Sequence, residues 1–357
     1  MEIVDLRTDT VTQPTPAMRE AMARAEVGDD VYGEDPTINR LQEMAADLVG
    51  QEAGLFVPSG TMGNLVAVLA HCQRGDEVIL GSKAHTFLFE AGGISALGGV
   101  HSCQLPNQED GTLELSAIEA AIRPDDPHHP VSRLIALENT HNRCGGVALT
   151  PEYMSAVSNL AHRHNLRLHL DGARIFNAAV ALGVRARDLA AMTDSVTFCL
   201  SKGLSAPVGS VLCGSHAFIH QAHRIRKQLG GGMRQAGVLA AAGIVALETM
   251  IERLAEDHRR ARELADGLRS ISDLELDPGT PYTNMVFLNL TSQVSEVQAA
   301  QSGGISPAGW VAARLAEHGV QVGIAGPCRF RLVTHCWVTD AHIQRTIAAF
   351  QTVMTAG

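Results

Sequence analysis

Six short apolar runs punctuate the first two thirds of the chain, and most are followed by a turn and a helical pattern. They are Gly54–Val57, Glu77–Leu80, Leu134–Leu137, Leu166–Leu170, Val196–Leu200 and Gly209–Cys213. Most are continuous rather than alternating, as expected of strands buried on both faces of a mainly parallel sheet. Helical patterns lie between them at Met62–His71, Leu115–Ile122, Pro151–His164 and Ala186–Ala191. Strand–helix alternation of this kind predicts an α/β fold with a doubly wound sheet. Ala236–Arg269 reads as one long helix leading to a smaller C-terminal α/β domain. That domain has predicted strands Met285–Leu290 and Phe330–Thr334, and predicted helices Trp310–Glu317 and Asp340–Thr352. The expected division is a large domain over 1–248, including an extended N-terminal arm, and a small one over 249–357. Thr291–Gly309, rich in Ser, Gln and Gly, is expected to be a surface loop.

Composition narrows the function classes. A hydrophobic fraction of 45% over 357 residues supplies a large core. The net charge of −10, with no basic patch, argues against nucleic acid. Val238–Leu247, the longest apolar stretch, is about half of the ~20 residues a membrane span needs. Charge in Met1–Asp5 argues against a signal peptide. The seven cysteines are odd in number and lack CxxC spacing, which favours reduced thiols and a cytoplasmic location. His216, His220 and His223 share a helical face but lack a further partner, so no metal site is expected. No GxGxxG turn is present, which argues against a nicotinamide oxidoreductase.

Four signals carry chemistry. Lys202 follows the apolar run Val196–Leu200, and an amine partly desolvated there becomes nucleophilic and can form a Schiff base with a carbonyl. Taken alone it also reads as a surface lysine at a strand end. Asp171 closes the run Leu166–Leu170, at the strand end where open α/β sheets bind ligands. A carboxylate there suits the pyridine nitrogen of pyridoxal 5'-phosphate, and it equally suits a helix cap. Ser59, Gly60 and Thr61 form a small-residue turn opening a helix, a phosphate cup by its free N–H groups and by dipole. His85, after the second run, offers a flat ring that can stack on a cofactor. Each signal is weak by itself. Together they fall in the order cup, stacking ring, acid and lysine, each near a strand end.

At this point the chain resembles the low-specificity L-threonine aldolases, pyridoxal phosphate enzymes of the aspartate-aminotransferase-like fold (fold type I). The resemblance runs over nearly the whole chain. Its marks are Asp5-Leu6-Arg7-Thr8-Asp9-Thr10-Val11-Thr12, Gly28-Asp29-Asp30-Val31-Tyr32-Gly33, Glu138-Asn139-Thr140-His141-Asn142 and Leu170-Asp171-Gly172-Ala173-Arg174-Ile175-Phe176-Asn177. Leu200-Ser201-Lys202-Gly203-Leu204, Gly230-Gly231-Gly232-Met233-Arg234-Gln235 and Arg331-Leu332-Val333-Thr334-His335 complete it.

The resemblance implies retro-aldol cleavage of β-hydroxy-α-amino acids, L-threonine and L-allo-threonine among them, to glycine and an aldehyde. It implies that Lys202 holds the cofactor covalently, Asp171 pairs with its ring nitrogen, Ser59, Gly60 and Thr61 hold its phosphate, and His85 stacks on its ring. Substrate carboxylate contacts fall on Thr8, Arg174 and Arg331. Lys227 and Arg234 match positions supplied by a neighbouring subunit, in a homo-oligomer expected to be a dimer of dimers. His128 matches a second histidine near the substrate hydroxyl, and Phe89 lines the same pocket. The chain departs from the family at Thr8, usually Ser, and at Ser205, often Gly. His129 directly follows His128. The same scaffold also supports β-elimination, racemisation or transamination, which cofactor residues alone do not separate. A non-catalytic scaffold would be colourless with pyridoxal phosphate.

Overall fold

The computed structural model describes residues 2–291 and 304–355. Most of the segment expected as a surface loop, Thr291–Gly309, lies outside the described residues. The chain divides into two compact units, Met1–Thr12 with Glu252–Gly357, and Gln13–Ile251. The described strands are β1 Val4–Leu6, β2 Ala53–Val57, β3 Asp76–Gly81, β4 His101–Leu105, β5 Val131–Glu138, β6 Arg167–Asp171, β7 Ser195–Cys199, β8 Ser210–Gly214, β9 Leu274–Leu276, β10 Met285–Leu290, β11 Val320–Gly326 and β12 Arg329–Val333.

In the larger unit, seven strands form one sheet in the order β2-β8-β7-β6-β5-β3-β4. β4, β3, β5, β6 and β7 run parallel, and β8 is antiparallel to both its neighbours. The continuous apolar runs have the predicted cause: β7 and β8 are buried along their whole length. β4 has no counterpart among the predicted strands. It is an edge strand, half exposed, and its sequence His-Ser-Cys-Gln-Leu carries too little apolar signal.

Register fixes the site. Glu138, the last residue of β5, lies opposite Asp171 at the end of β6, which in turn lies opposite Thr197 of β7. Glu138 and Asp171 therefore share the carboxyl ends of adjacent parallel strands, level with Thr197 in the middle of β7. The helix Gly60–His71 presses on this row through glycines. A Cβ on Gly63 would stand 2.5 Å from Thr197 Cγ2, and one on Gly60 would stand 2.9 Å from Cys199 Sγ. Any larger residue would lift the helix start away from the strand ends.

The smaller unit has a five-stranded sheet, β1-β11-β12-β10-β9, with β1 parallel to β11 and the other pairs antiparallel. Its core includes Leu6, Leu264, Leu268, Val286, Leu288, Leu315, Phe330 and Phe350. Met1–Thr12, expected in the large domain, thus groups with the C-terminal unit. Val4 and Leu6 are buried in that unit's core, and β1 completes its sheet. The single helix expected over Ala236–Arg269 is two, Gly237–Thr249 and Leu254–Arg269. The first is small and apolar almost all round, the second amphipathic. The break at Met250–Arg253 contains the boundary between the units, at Ile251/Glu252.

Candidate active site

Asp171 is buried, and its carboxylate is held on both oxygens. Oδ1 accepts from Ala173 N at 3.1 Å, and Oδ2 accepts from Asn64 Nδ2 at 2.9 Å. It does not cap the following helix, whose N-cap is Arg174. The same Asn64 nitrogen donates to Glu90 Oε1 at 2.9 Å, and Glu90 Oε1 also lies 2.9 Å from His85 Nδ1. His85 is half-buried. Its backbone N–H donates to Glu138 Oε2 at 2.7 Å, and Glu138 Oε1 accepts from Asn142 N at 2.8 Å. Glu138 therefore pins the loop carrying His85 to the end of β5.

Behind this layer the polar chain continues. Asn64 Oδ1 meets His169 Nε2 at 3.2 Å, His169 Nδ1 meets Ser195 Oγ at 2.8 Å, and Ser195 Oγ meets His71 Nε2 at 2.8 Å. Burial keeps both rings neutral: His169 falls to about 4 and His71 to about 3. The hydrogen bond to Glu90 pushes His85 the other way, above the ordinary histidine value, with Asp171 adding to the rise. Desolvation raises the Glu90 carboxyl, and the bonds from His85 and Asn64 partly offset it.

Lys202 lies five residues beyond the register position of Thr197, is half-buried, and stands near enough to His85 to oppose its protonation. Ser205, where relatives often have Gly, has a left-handed backbone with φ 67°. Its N–H donates to Lys202 O at 2.8 Å and its buried hydroxyl donates to Gln13 O at 2.7 Å. Those bonds offset the strain that glycine would avoid.

Ser59 caps the helix Gly60–His71, its Oγ accepting from Met62 N at 3.2 Å; Ser59 and Thr61 are exposed and Gly60 half-exposed. Arg174 is buried. Phe89 is exposed, its ring 5.6 Å from that of His85. Arg234 is exposed and pairs with Asp29 at 3.0 Å, and Lys227 is exposed on the helix His216–Gln228. Thr8 and Arg331 belong to the smaller unit. Thr8 caps a 3-10 turn, its Oγ1 accepting from Thr10 N at 3.3 Å, and Arg331 Nη2 donates to Arg7 O at 3.4 Å.

His128 is not brought to this group within one chain. It precedes the first residue of β5, whereas Glu138 at the last touches His85. At ~3.3 Å per residue the strand separates them by roughly 20 Å. The His128 side chain is 87% exposed and bonds Asp126 at 2.7 Å.

Asn64, Glu90, Glu138 and His169 were absent from the expected site. Their signal was a polar residue inside an apolar setting, such as His169 within Leu166–Leu170.

Pyridoxal phosphate suits these residues. A helix N-terminus opens beside Ser59 and Thr61, and a buried acid stands at the strand ends with a lysine on the loop beyond β7. Buried Thr140 Oγ1, Thr197 Oγ1 and Glu90 Oε2 have no hydrogen-bond partner, as expected of a lining that a polar group completes. His85, Glu90 and Asp171 bring one ligand-type atom each within 4.8 Å of one another, and Glu90 Oε1 and Asp171 Oδ2 already accept from Asn64.

A family model described as beta-eliminating lyase matches residues 5–293. The chain is 49% identical over 359 residues to low-specificity L-threonine aldolase 1 of Arabidopsis thaliana, covering 99% of this chain and 97% of that one. It is 50% identical over 301 residues to the low specificity L-threonine aldolase of Escherichia coli (strain K12), covering 84% and 87%. Among solved structures, the threonine aldolase of Leishmania major superposes with a TM-score of 0.80 at 20% identity, covering 98% of this chain and 99% of that one. The serine palmitoyltransferase of Sphingomonas wittichii gives a TM-score of 0.75 at 15% identity, covering 99% and 88%. These two likenesses show the shared fold.

Proposed function

Because the chain belongs to the low-specificity L-threonine aldolase family, we propose that it cleaves L-threonine, L-allo-threonine and related β-hydroxy-α-amino acids to glycine and an aldehyde. The observation that carries this reading is the hydrogen-bonded row from buried Asp171, Asn64 and Glu90 to the half-buried His85, with Lys202 beside it. When bound, pyridoxal phosphate supplies an electron sink for a bond at the substrate Cα. Lys202 would hold it, Asp171 would face its ring nitrogen and favour a proton there, and Ser59, Gly60 and Thr61 would take its phosphate. Arg174 binds the substrate carboxylate, a task the family resemblance also implies for Thr8 and Arg331, and the planar fork of an arginine grips such a group at two points. Fixing the carboxylate orients the Cα–Cβ bond, a positioning effect worth several kcal/mol.

His85 Nδ1 faces Glu90, which leaves Nε2 to take the β-hydroxyl proton. The Cα–Cβ bond then breaks, the hydroxyl carbon leaves as an aldehyde, and a proton delivered to Cα completes glycine. His85→Phe should slow cleavage of L-threonine by roughly 10²-fold or more. A His85→Phe, His128→Phe double variant running at the full rate would take both rings out of the proton step.

The proposed assembly is a homotetramer, a dimer of dimers in which Lys227 and Arg234 serve a neighbouring copy's site. His128, remote from its own chain's site, acts at that chemistry only from a second copy. Light scattering should give a mass near four chains. A cytosolic location accords with seven free cysteines, and no helix of the described residues is long and apolar enough to cross a membrane.

The reaction is tested by incubating the purified protein and cofactor with L-threonine, L-allo-threonine and phenylserine. Glycine and aldehyde should appear in equal amounts. A 2-oxo acid with ammonia, a D-amino acid or an exchanged amino group would instead point to elimination, racemisation or transamination.

A further inference from the structure

We propose that Glu90 is a positioning residue of this site: it fixes the tautomer and plane of the His85 ring and, through Asn64, the rotamer of the Asp171 carboxylate. One oxygen, Oε1, serves both partners at 2.9 Å. The two hydrogens of Asn64 Nδ2 are shared between Glu90 and Asp171, each at 2.9 Å. Two carboxylate acceptors force the amide nitrogen of Asn64 toward them and its oxygen toward His169 Nε2, 3.2 Å away. His169 therefore carries its proton on Nε2, and its Nδ1 accepts from the Ser195 hydroxyl. A flip of the Asn64 amide would remove its donation to both acids and set its oxygen against theirs. Glu90 is 5% exposed, so this bonding is sheltered from water.

The consequence for His85 follows from charge. His85 Nδ1–H donates to Glu90 Oε1, so Nε2 is the ring atom left for chemistry. Among the described residues, Glu90, Asp171 and Lys202 are the charged groups acting on the ring, and Glu138 takes its backbone N–H. Lys202 opposes a positive ring, and the two acids favour it. Removing the Glu90 charge while keeping its shape leaves Asp171 alone to balance Lys202.

The inference rests on the reading that His85 works at the substrate hydroxyl, so its test begins with a quantity independent of turnover. The full-length chain is labelled, and the His85 ring is titrated by NMR before and after pyridoxal phosphate is added. The signal is assigned by its loss in His85→Phe. In Glu90→Gln the midpoint should fall by roughly one pH unit or more, the scale of losing an adjacent opposite charge. Glu90→Asp, which keeps the charge, should restore part of that fall. The acidic limb of the cleavage profile should move with the NMR midpoint in each variant. An unchanged His85 midpoint in Glu90→Gln, or Glu90→Asp behaving as Glu90→Gln, overturns the proposal. A shifted midpoint with no glycine formed by any variant would instead sink the reaction and leave the Glu90–His85 coupling intact.

Discussion

Lys202→Ala removes turnover of L-threonine, by roughly 10²–10⁴-fold or more, and with it the visible absorption that pyridoxal phosphate gains on joining a protein amine. The expectation follows from placement. Lys202 stands on the loop beyond β7, half-buried, close enough to His85 to oppose its protonation, with the buried Asp171 at the end of the neighbouring strand. Alanine leaves in place the bonds that Ala173 N and Asn64 make to Asp171. The variant should therefore fold, and its melting temperature should stay close to that of the parent. Borohydride reduction with the cofactor present should fix one cofactor per chain on the peptide containing Lys202, and none in Lys202→Ala. Undiminished turnover in the variant, or a reduced adduct on another lysine, would remove Lys202 from the reaction.

How far the sequence carried the account depends on the range of each interaction. Buried strands with continuous apolar runs announce themselves locally, so β3, β5, β6, β7 and the antiparallel β8 fall within a few residues of the predicted runs. Asp171 and Lys202 are legible for the same reason, since each follows such a run within two residues. β1, with three residues, and β4, half exposed at an edge, carry no comparable pattern. β1 owes its place to pairing with β11, more than three hundred residues away, which no local window contains. The polar layer behind Asp171 is illegible for another reason. Asn64, Glu90 and His169 are far apart in the chain, and each alone is an unexplained polar residue in an apolar stretch. Only the sheet register and the close seat of Gly63 on Thr197 bring them into one hydrogen-bonded row. His128 shows the converse limit, since a motif match names a position without saying which chain's site it serves.

Arg226 carries the second large expectation. In the sequence it sits in Arg224-Ile225-Arg226-Lys227, where nothing local separates it from its cationic neighbours. In the fold it is 1% exposed: Nη2 meets Asp30 Oδ2 at 2.7 Å and Nη1 donates to Phe56 O at 2.8 Å. The backbone of its neighbourhood is tied in as well, with Gly231 N donating to Arg226 O at 2.9 Å and Asp30 N to Arg234 O at 3.1 Å. One guanidinium thus joins the helix His216–Gln228, the loop at Asp30 and the strand that delivers Ser59. Arg226→Ala strands the Asp30 carboxylate in a buried site, and breaking such a pair costs about 3–5 kcal/mol. For a unit of this size that lowers the melting temperature by roughly 6–20 °C. Replacing both partners by apolar residues of similar volume, Arg226→Met with Asp30→Leu, should recover most of the loss, because no unpaired charge remains. The double variant still lacks the bond to Phe56 O, so cofactor release should stay faster than in the parent even where the melt is restored. A single variant melting within about 2 °C of the parent would mean that water reaches Asp30 and the pair is not buried in solution.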